Sequence, residues 1–167
     1  MSTMRLCLLI AAFATLAVGS TSANEASKPF VAGSWAKLRA AYPDTALVVH
    51  FWGLTCAPCR TEMPHWGELH ARKPGIPIVF VHAERPPPKL KSVNEFIRRS
   101  GLADADTWHF ADSFTDRLRF EISREWHGEM PLTMLIDRHG HITTQTGSAD
   151  FDEIGTWISA QRHGAGR

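Results

Sequence analysis

The chain alternates between continuous apolar runs and amphipathic stretches. Residues 46–52 form a nearly continuous apolar run rich in β-branched and aromatic side chains, and residues 76–81 repeat it. Such runs are typical of strands that are buried on both faces of a sheet. Between them, residues 59–72 carry Trp66 and Leu69 at helical spacing. The pattern therefore predicts a strand, a helix and a parallel strand joined by a right-handed crossover.

The second half of the chain predicts further short elements around the same sheet. Amphipathic spacing predicts helices over residues 93–100, 113–126 and 151–161, the first capped by Ser92 and the last by Asp150 or Asp152. Apolar and β-branched runs predict a short strand over 107–110 and a hairpin of 132–136 with 141–145 around the turn 137–140. We therefore expect an α/β fold with a central mixed sheet and helices on both faces.

The N-terminal residues have the pattern of a targeting segment. Arg5 provides a positive charge, residues 6–18 are apolar, and small residues follow up to Ala23. An apolar stretch of this length is short of the roughly 20 residues that a spanning helix needs. We predict a secretory signal peptide over residues 1–23, cleaved to leave one domain over 24–167 in the periplasm. Membrane contact is then expected only through this segment, where it stays uncleaved.

Charge and cysteine content narrow the possible functions. The 167 residues include 18 Lys and Arg against 17 Asp and Glu, which gives a net charge of +1. This balance offers no electrostatic support for binding a nucleic acid. Loss of the signal peptide would remove Cys7 and leave only Cys56 and Cys59. In an oxidising compartment, two thiols three positions apart point to redox chemistry or to metal binding.

The Cys56-Ala57-Pro58-Cys59 segment lies where a predicted strand passes into a predicted helix. Unpaired backbone N–H groups and the positive end of the helix dipole favour a thiolate there, so we predict Cys56 as the nucleophile. Pro58 suits the first turn of a helix, where its missing N–H costs nothing. Cys59, one residue further on, would lie within disulfide-bonding reach of Cys56.

Haem attachment, metal binding and a purely structural disulfide fit the cysteine pair less well than redox chemistry does. Covalent haem attachment needs a histidine directly after the second cysteine, where this chain has Arg60. Zinc needs four ligands, and no histidine falls at a recognised ligand spacing from the two sulfurs, so no metal site is predicted. A structural disulfide that closes so short a loop would add little stability. A copper- or zinc-binding chaperone that uses the pair as ligands stays open as an alternative.

Several motifs together resemble one family. Phe51-Trp52 ends the strand before the cysteines, Glu62 and Pro64 follow them, Met130-Pro131 precedes the strand 132–136, and Gly140 lies in the hairpin. With the Cys-Ala-Pro-Cys motif, these residues resemble the thioredoxin-fold TlpA, ResA and DsbE (CcmG) group of extracytoplasmic thiol:disulfide oxidoreductases, over residues 30 to 162.

The resemblance implies a substrate-binding surface beside the cysteines. It implies that Pro131 is cis and lies against the disulfide, and that the backbone of Met130 receives an extended substrate segment. The residues expected at this surface are Trp52, Ala57, Pro58, Met130 and Pro131.

Three positions depart from the family pattern. Thr55 precedes the first cysteine where the family usually has Trp, and Leu132 follows the proline where Thr is usual. Glu129 stands two residues before Pro131, where Gly is common. We hypothesise that the loop over residues 126–129 shapes the choice of partner.

Two residues are candidates for moving the proton of Cys59. An unperturbed thiol has a pKa of about 8.5, so a shielded second cysteine needs help to ionise at neutral pH. Glu62 matches the acidic residue that the family places near its disulfide, and His50 lies where thioredoxins carry a buried Asp. The simpler alternatives are an ordinary helix-face carboxylate for Glu62 and a neutral core histidine with one backbone partner for His50. Most of the remaining histidines, His82 among them, are expected at the surface.

The sequence thus predicts thiol–disulfide exchange with partner protein thiols and disulfides, and no cofactor beyond the redox-active pair. The resemblance favours a reductant that is recharged by a membrane reductant of the DsbD type. A DsbA-like oxidant and the metal-binding chaperone are the alternatives. A redox-dead adaptor does not fit a chain that keeps both sulfurs.

Overall fold

The computed structural model describes residues 27–85 and 89–164. The predicted signal peptide, Cys7 and the three prolines at 86–88 lie outside the described residues. Within those ranges the chain forms six strands and five helices. In chain order they are β1 (Lys28–Phe30), α1 (Ser34–Ala40), β2 (Leu47–Trp52), α2 (Ala57–Ala71), β3 (Ile78–His82), α3 (Leu90–Arg99), β4 (Asp106–Phe110), α4 (Thr115–Ile122), β5 (Leu132–Ile136), β6 (Ile142–Thr146) and α5 (Phe151–Gly164). Among the described helices, none has the length and apolarity that crossing a membrane requires.

The described strands form one mixed sheet in the order β1-β4-β3-β2-β5-β6. The pairs β1·β4, β3·β4 and β2·β3 are parallel, whereas β5 is antiparallel to both β2 and β6. The predicted strand–helix–strand unit and the predicted hairpin are thus present in one sheet. The α/β class with a central mixed sheet is confirmed.

The sheet separates two apolar cores. On one face, Leu38 of α1 and Leu118 and Ile122 of α4 pack against the sheet in what we call core one. We call the apolar core on the other face core two. There, Met63 and Trp66 of α2 pack with apolar side chains of α3 and α5, namely Val93, Ile97, Ile154 and Ile158. Strand β2 serves both cores, since alternate residues of a strand point to opposite faces. Helices therefore cover both faces of the sheet, as predicted.

Two elements near the start of the domain were not predicted. Strand β1 has three residues and contains Pro29, so it lacks the alternating pattern that marks a longer strand. Helix α1 has only seven residues, and its N-cap is Gly33, which has a φ of 79°. Glycine has no side chain to cap the helix, so the usual Ser, Thr, Asp or Asn signal of a helix start is missing.

Two predicted helices have different bounds in the structure. Helix α3 begins at Leu90, so Ser92 lies in its first turn and is not its cap, and Lys89 precedes it without a side-chain cap. Helix α4 is shorter than predicted because Ser123 adopts extended backbone after Ile122. Phe114, which lies inside the predicted helix, precedes the observed one and is 59% exposed.

Candidate active site

The cysteine pair lies where β2 leads into α2. Cys56 is the N-cap of α2 in extended backbone, and its Sγ accepts a hydrogen bond from the backbone N–H of Cys59 at 3.2 Å. Pro58 stands in the first turn, where no donor is lost. The two sulfurs form a disulfide with Cα atoms 5.3 Å apart. Cys59 is fully buried and Cys56 is half-buried, so a partner can reach Cys56 only.

Sheet register brings the Met130-Pro131 segment close to Gly53, three residues before Cys56. Strands β2 and β5 pair with Phe51 opposite Leu132, and continuing this register sets Gly53 opposite Met130. A Cβ added to Gly53 would lie 3.2 Å from the methyl carbon of Met130, which shows how closely the two segments approach. The Met130–Pro131 peptide bond is cis, the isomer that the resemblance implies.

A buried polar group lies one helical turn after Cys59, on the side of core two. Glu62, 5% exposed, is three residues after Cys59 on α2, a spacing that puts both side chains on one helix face. Its Oε2 accepts the backbone N–H of Ala149 at 2.8 Å, and its Oε1 lies 3.1 Å from Nε2 of fully buried His50. Among the described residues, neither Glu62 Oε1 nor His50 Nε2 has a hydrogen-bond partner in regular geometry. The contact is therefore a bent, buried carboxylate–imidazole pair.

His50 has a side-chain partner on its other nitrogen. Its Nδ1 lies 3.0 Å from Oγ1 of Thr133, which is fully buried on the neighbouring strand β5. The ring also packs against Trp66, with centroids 4.7 Å apart. Burial lowers the pKa of His50, and the contact with Glu62 offsets only part of this effect. The expected single backbone partner is thus wrong, and a neutral imidazole joins Glu62 to Thr133.

A second buried carboxylate, not predicted from the sequence, borders the loop into Cys56. Glu84 is 4% exposed, and its Oε2 accepts the backbone N–H of Leu54 at 3.0 Å and lies 3.2 Å from Nε2 of His82. Its Oε1 accepts the backbone N–H of Thr55 at 2.7 Å and also the Thr55 hydroxyl. The carboxyl ends of the parallel strands β2 and β3 meet at one sheet edge, and this is the signal that could have pointed to Glu84.

The ionisation of this second pair follows from its surroundings. Burial raises the pKa of Glu84, but hydrogen bonds from Thr55 and Leu54 and the neighbouring His82 outweigh burial, and the net pKa is lowered. Burial lowers the pKa of His82, against the opposing effect of Glu84. His82 is 1% exposed, which corrects its expected place at the surface. A carboxylate and a neutral imidazole therefore lie beside the loop.

The predicted substrate-side residues fall into two groups. Ala57 and Pro58 are exposed beside Cys56, and Met130 is half-buried next to Gly53. Trp52 is instead 1% exposed, and its ring stacks on Phe96 in core two, so its predicted place at the substrate surface is corrected. Pro131 is also buried, whereas the preceding Met130 is half-buried. Trp52 is therefore a residue of core two and not of the exposed rim.

The buried histidines give a pH-dependence prediction. An unfolded histidine titrates near pH 6.5, whereas burial lowers the pKa of His50, so below about pH 6.5 the unfolded chain binds a proton that the folded chain does not. The stability that neutral His50 contributes is present above pH 6.5 and is lost as pH falls. We expect the urea-derived free energy of unfolding to fall from pH 7 to pH 5, by up to about 1.4 kcal/mol per pH unit for each such histidine. H50Q should flatten this slope and H139Q, at an exposed position, should not; equal slopes in wild type and H50Q would contradict it.

The strand order, the disulfide at the start of α2 and the cis Met130–Pro131 bond close to Gly53 define a thioredoxin fold with a Cys-x-x-Cys site. The comparisons with known proteins agree. Over 103 residues the chain is 33% identical to the thiol-disulfide oxidoreductase ResA of Geobacillus kaustophilus, covering 60% of this chain and 53% of that protein. It thus spans about half the length of the curated relatives it matches. No protein-family model matches the chain.

Solved structures give the same fold. A secreted Mycobacterium tuberculosis disulfide oxidoreductase homologous to E. coli DsbE superposes with a TM-score of 0.59 at 18% identity, over 72% of this chain and 85% of that chain. StoA from Bacillus subtilis superposes with a TM-score of 0.52 at 23% identity, over 69% of this chain and 83% of that chain. These similarities confirm the thioredoxin fold that the sequence resemblance implies.

Proposed function

We propose that this protein is a thiol:disulfide oxidoreductase that reduces disulfides of partner proteins. The observation that carries the proposal is the asymmetry of the pair: Cys56 is reachable at the helix start, and Cys59 is buried directly behind it. A nucleophile needs access, while a resolving thiol is better shielded from competing partners. The ResA relative is named a thiol-disulfide oxidoreductase, which supports the reaction class.

The exchange proceeds in two displacements that balance in sulfur bonds and electrons. With the pair reduced, the Cys56 thiolate attacks one sulfur of the partner disulfide, and the second partner sulfur leaves as a thiolate that takes up a proton. Cys59 then loses its proton and attacks Cys56 Sγ, which releases the remaining partner thiol. The partner gains two electrons and two protons, and the protein is left with the Cys56–Cys59 disulfide seen in the structure.

Glu62 is proposed as the group that accepts the Cys59 proton. It follows Cys59 by one helical turn, next to the α2 residues that pack in core two, and it is buried itself. His50 is a positioning residue in this scheme, because it contacts one oxygen of Glu62 while the Ala149 N–H holds the other. The substrate segment would lie along Met130, Ala57 and Pro58, at the exposed rim of the site.

Removing the carboxylate of Glu62 should slow only the second displacement. General-base assistance is typically worth 10²- to 10⁴-fold, so we expect E62Q to slow release of the reduced partner by about a hundredfold. The first displacement, made by Cys56, should keep its rate. Rapid-quench alkylation, which traps and counts the mixed disulfide over time, measures both steps.

Two further variants complete this test. E68Q removes a 63% exposed carboxylate from the same helix and should leave both steps unchanged. H50Q should slow the second step less than E62Q does and should move its pH profile. An E62Q protein whose two steps both match the wild type would rule out the proposed role of Glu62.

The direction of electron flow, the compartment and the partners belong to the same proposal. The apolar segment within residues 1–23 supports export to the periplasm, and one structural relative is described as secreted. Partner thiols there would be kept reduced by this protein, and a membrane dithiol reductant of the DsbD type would regenerate its own pair. No cofactor beyond the two sulfurs takes part in this scheme.

Catalysed reduction of a protein disulfide tests the activity directly. The full chain, reduced and then mixed with oxidised insulin and a dithiol regenerant, should turn over many equivalents of insulin disulfide. Tight binding of one equivalent of Cu(I) without turnover would instead support the metal-chaperone alternative. If the oxidised wild type acts faster as an oxidant of partner thiols than the reduced wild type acts as a reductant, the proposed direction is reversed.

A further inference from the structure

The loop that delivers Cys56 is held by a single buried carboxylate. Glu84 accepts the backbone N–H groups of Leu54 and Thr55 and the hydroxyl of Thr55, which directly precedes Cys56. The Glu84 side chain also lies against Gly53, where an added Cβ would be 3.3 Å from its Cβ and Cδ atoms. Three successive loop residues, Gly53 to Thr55, thus contact this one side chain.

Among the described residues, no cation balances the charge of Glu84. Its four polar contacts come from two amides, one hydroxyl and the imidazole of His82, and burial keeps His82 neutral. Across residues 27–85 and 89–164, no lysine or arginine forms an ion pair with Glu84, and the adjacent Arg85 pairs with Asp116. His109 lies opposite His82 on β4 and has its own pKa lowered by burial. A fixed negative charge therefore lies beside the loop.

We propose that Glu84 is a positioning residue that fixes the Gly53–Thr55 loop and, through its negative charge, limits the thiolate fraction of Cys56. The inference rests on the proposed function, and it names a residue that favours reduction of partner disulfides over oxidation of partner thiols. A like charge nearby disfavours a thiolate, and a less stable thiolate makes the dithiol a stronger reductant. Glu84 thus lowers the reduction potential of the cysteine pair.

Thr55 belongs to the same device. It occupies the position before the first cysteine, and its hydroxyl donates to the carboxylate that lies beside the loop. Each donor that Glu84 accepts spreads part of its charge, so the Thr55 hydroxyl weakens the repulsion between Glu84 and the Cys56 thiolate. Removing the donor and removing the carboxylate should therefore shift the pKa of Cys56 in opposite directions.

The test compares E84Q with wild type in two measurements. In a C7S, C59S background, the pH midpoint of Cys56 thiolate formation, followed by ultraviolet absorbance, should fall by about one unit in E84Q. With the cysteine pair intact, the equilibrium in which the protein disulfide and two glutathione thiols give the dithiol and glutathione disulfide should shift about tenfold toward the dithiol. This shift corresponds to a reduction potential about 30 mV higher. E125Q, which removes an exposed carboxylate, is the control and should match wild type in both.

The sign of the change separates this proposal from a merely structural role. If Glu84 only held the loop, its loss would loosen the helix start and raise the midpoint, so a raised or unchanged midpoint in E84Q overturns the proposal. T55V keeps the charge and should raise the midpoint by a fraction of a unit, which keeps the proposal falsifiable if E84Q does not fold. Neither measurement needs a client protein, so absence of insulin turnover would count against the proposed function alone.

Discussion

Replacing Cys56 by serine is expected to reduce disulfide exchange to the background rate of the assay. A serine hydroxyl is not ionised at neutral pH and cannot form the mixed disulfide, so the first displacement has no nucleophile. Cys59 cannot substitute for it, because its side chain is fully buried behind the helix start. The measurement is insulin reduction by the full chain in a C7S background, which leaves Cys56 and Cys59 as the only thiols.

Cys59 provides the matched variant for this prediction. C59S keeps the reachable nucleophile and removes only the resolving thiol, so it should form a mixed disulfide with the partner and release it slowly. Mass spectrometry of the unreduced product should find this adduct in C59S and none in C56S. Adducts of equal yield in both variants would show that the two sulfurs do not have the proposed separate roles.

The largest expected effect on stability comes from Gly67→Ala in the middle of α2. Gly67 is buried where the helix passes the backbone of Ser100, and an added Cβ would overlap the Ser100 carbonyl oxygen and lie 3.0 Å from the carbonyl carbon. Backbone cannot rotate away as a side chain can, so α2 or the end of α3 must move. We expect G67A to lower the free energy of unfolding by about 3 kcal/mol. Urea titration of the wild type and the variant measures this loss.

Gly155 is the control for that substitution. It also lies inside a helix, α5, but a Cβ added there meets no atom within 4 Å in the described part of the chain. Alanine at this position should raise the free energy of unfolding by about 0.5 to 1 kcal/mol, because glycine loses more conformational entropy on folding. A gain in stability in G67A like that in G155A would show that helix propensity, and not the close approach to Ser100, governs both.

The sequence allowed the central sheet and the cysteine site to be predicted because both depend on local patterns. Strands β2, β3 and β5 are nearly continuous apolar runs, and the Cys-x-x-Cys segment follows shortly after one of them. Glu62 and His50 were both identified, but their contact was not, since it joins residues of a helix and a strand that only tertiary packing brings together.

Glu84 and Thr133 were missed for a related reason. Each is a single polar residue at or beyond a buried strand, and nothing in its neighbours along the chain distinguishes it from a loop or edge residue. Their partners, Thr55 for Glu84 and His50 for Thr133, lie 29 and 83 positions away. Such pairings depend on strand register, which a pattern of apolar residues specifies only approximately.

The division of the interior by the sheet has a consequence for how such a protein can change over generations. Cys59 packs in core two, and Glu62 follows it on α2 and pairs with His50, whereas the side chains of α1 and α4 pack in core one. Substitutions in core one should therefore change the melting temperature and leave the reduction potential of the cysteine pair unchanged. Evolution can therefore change stability and redox behaviour separately, each through the core on one face of the sheet.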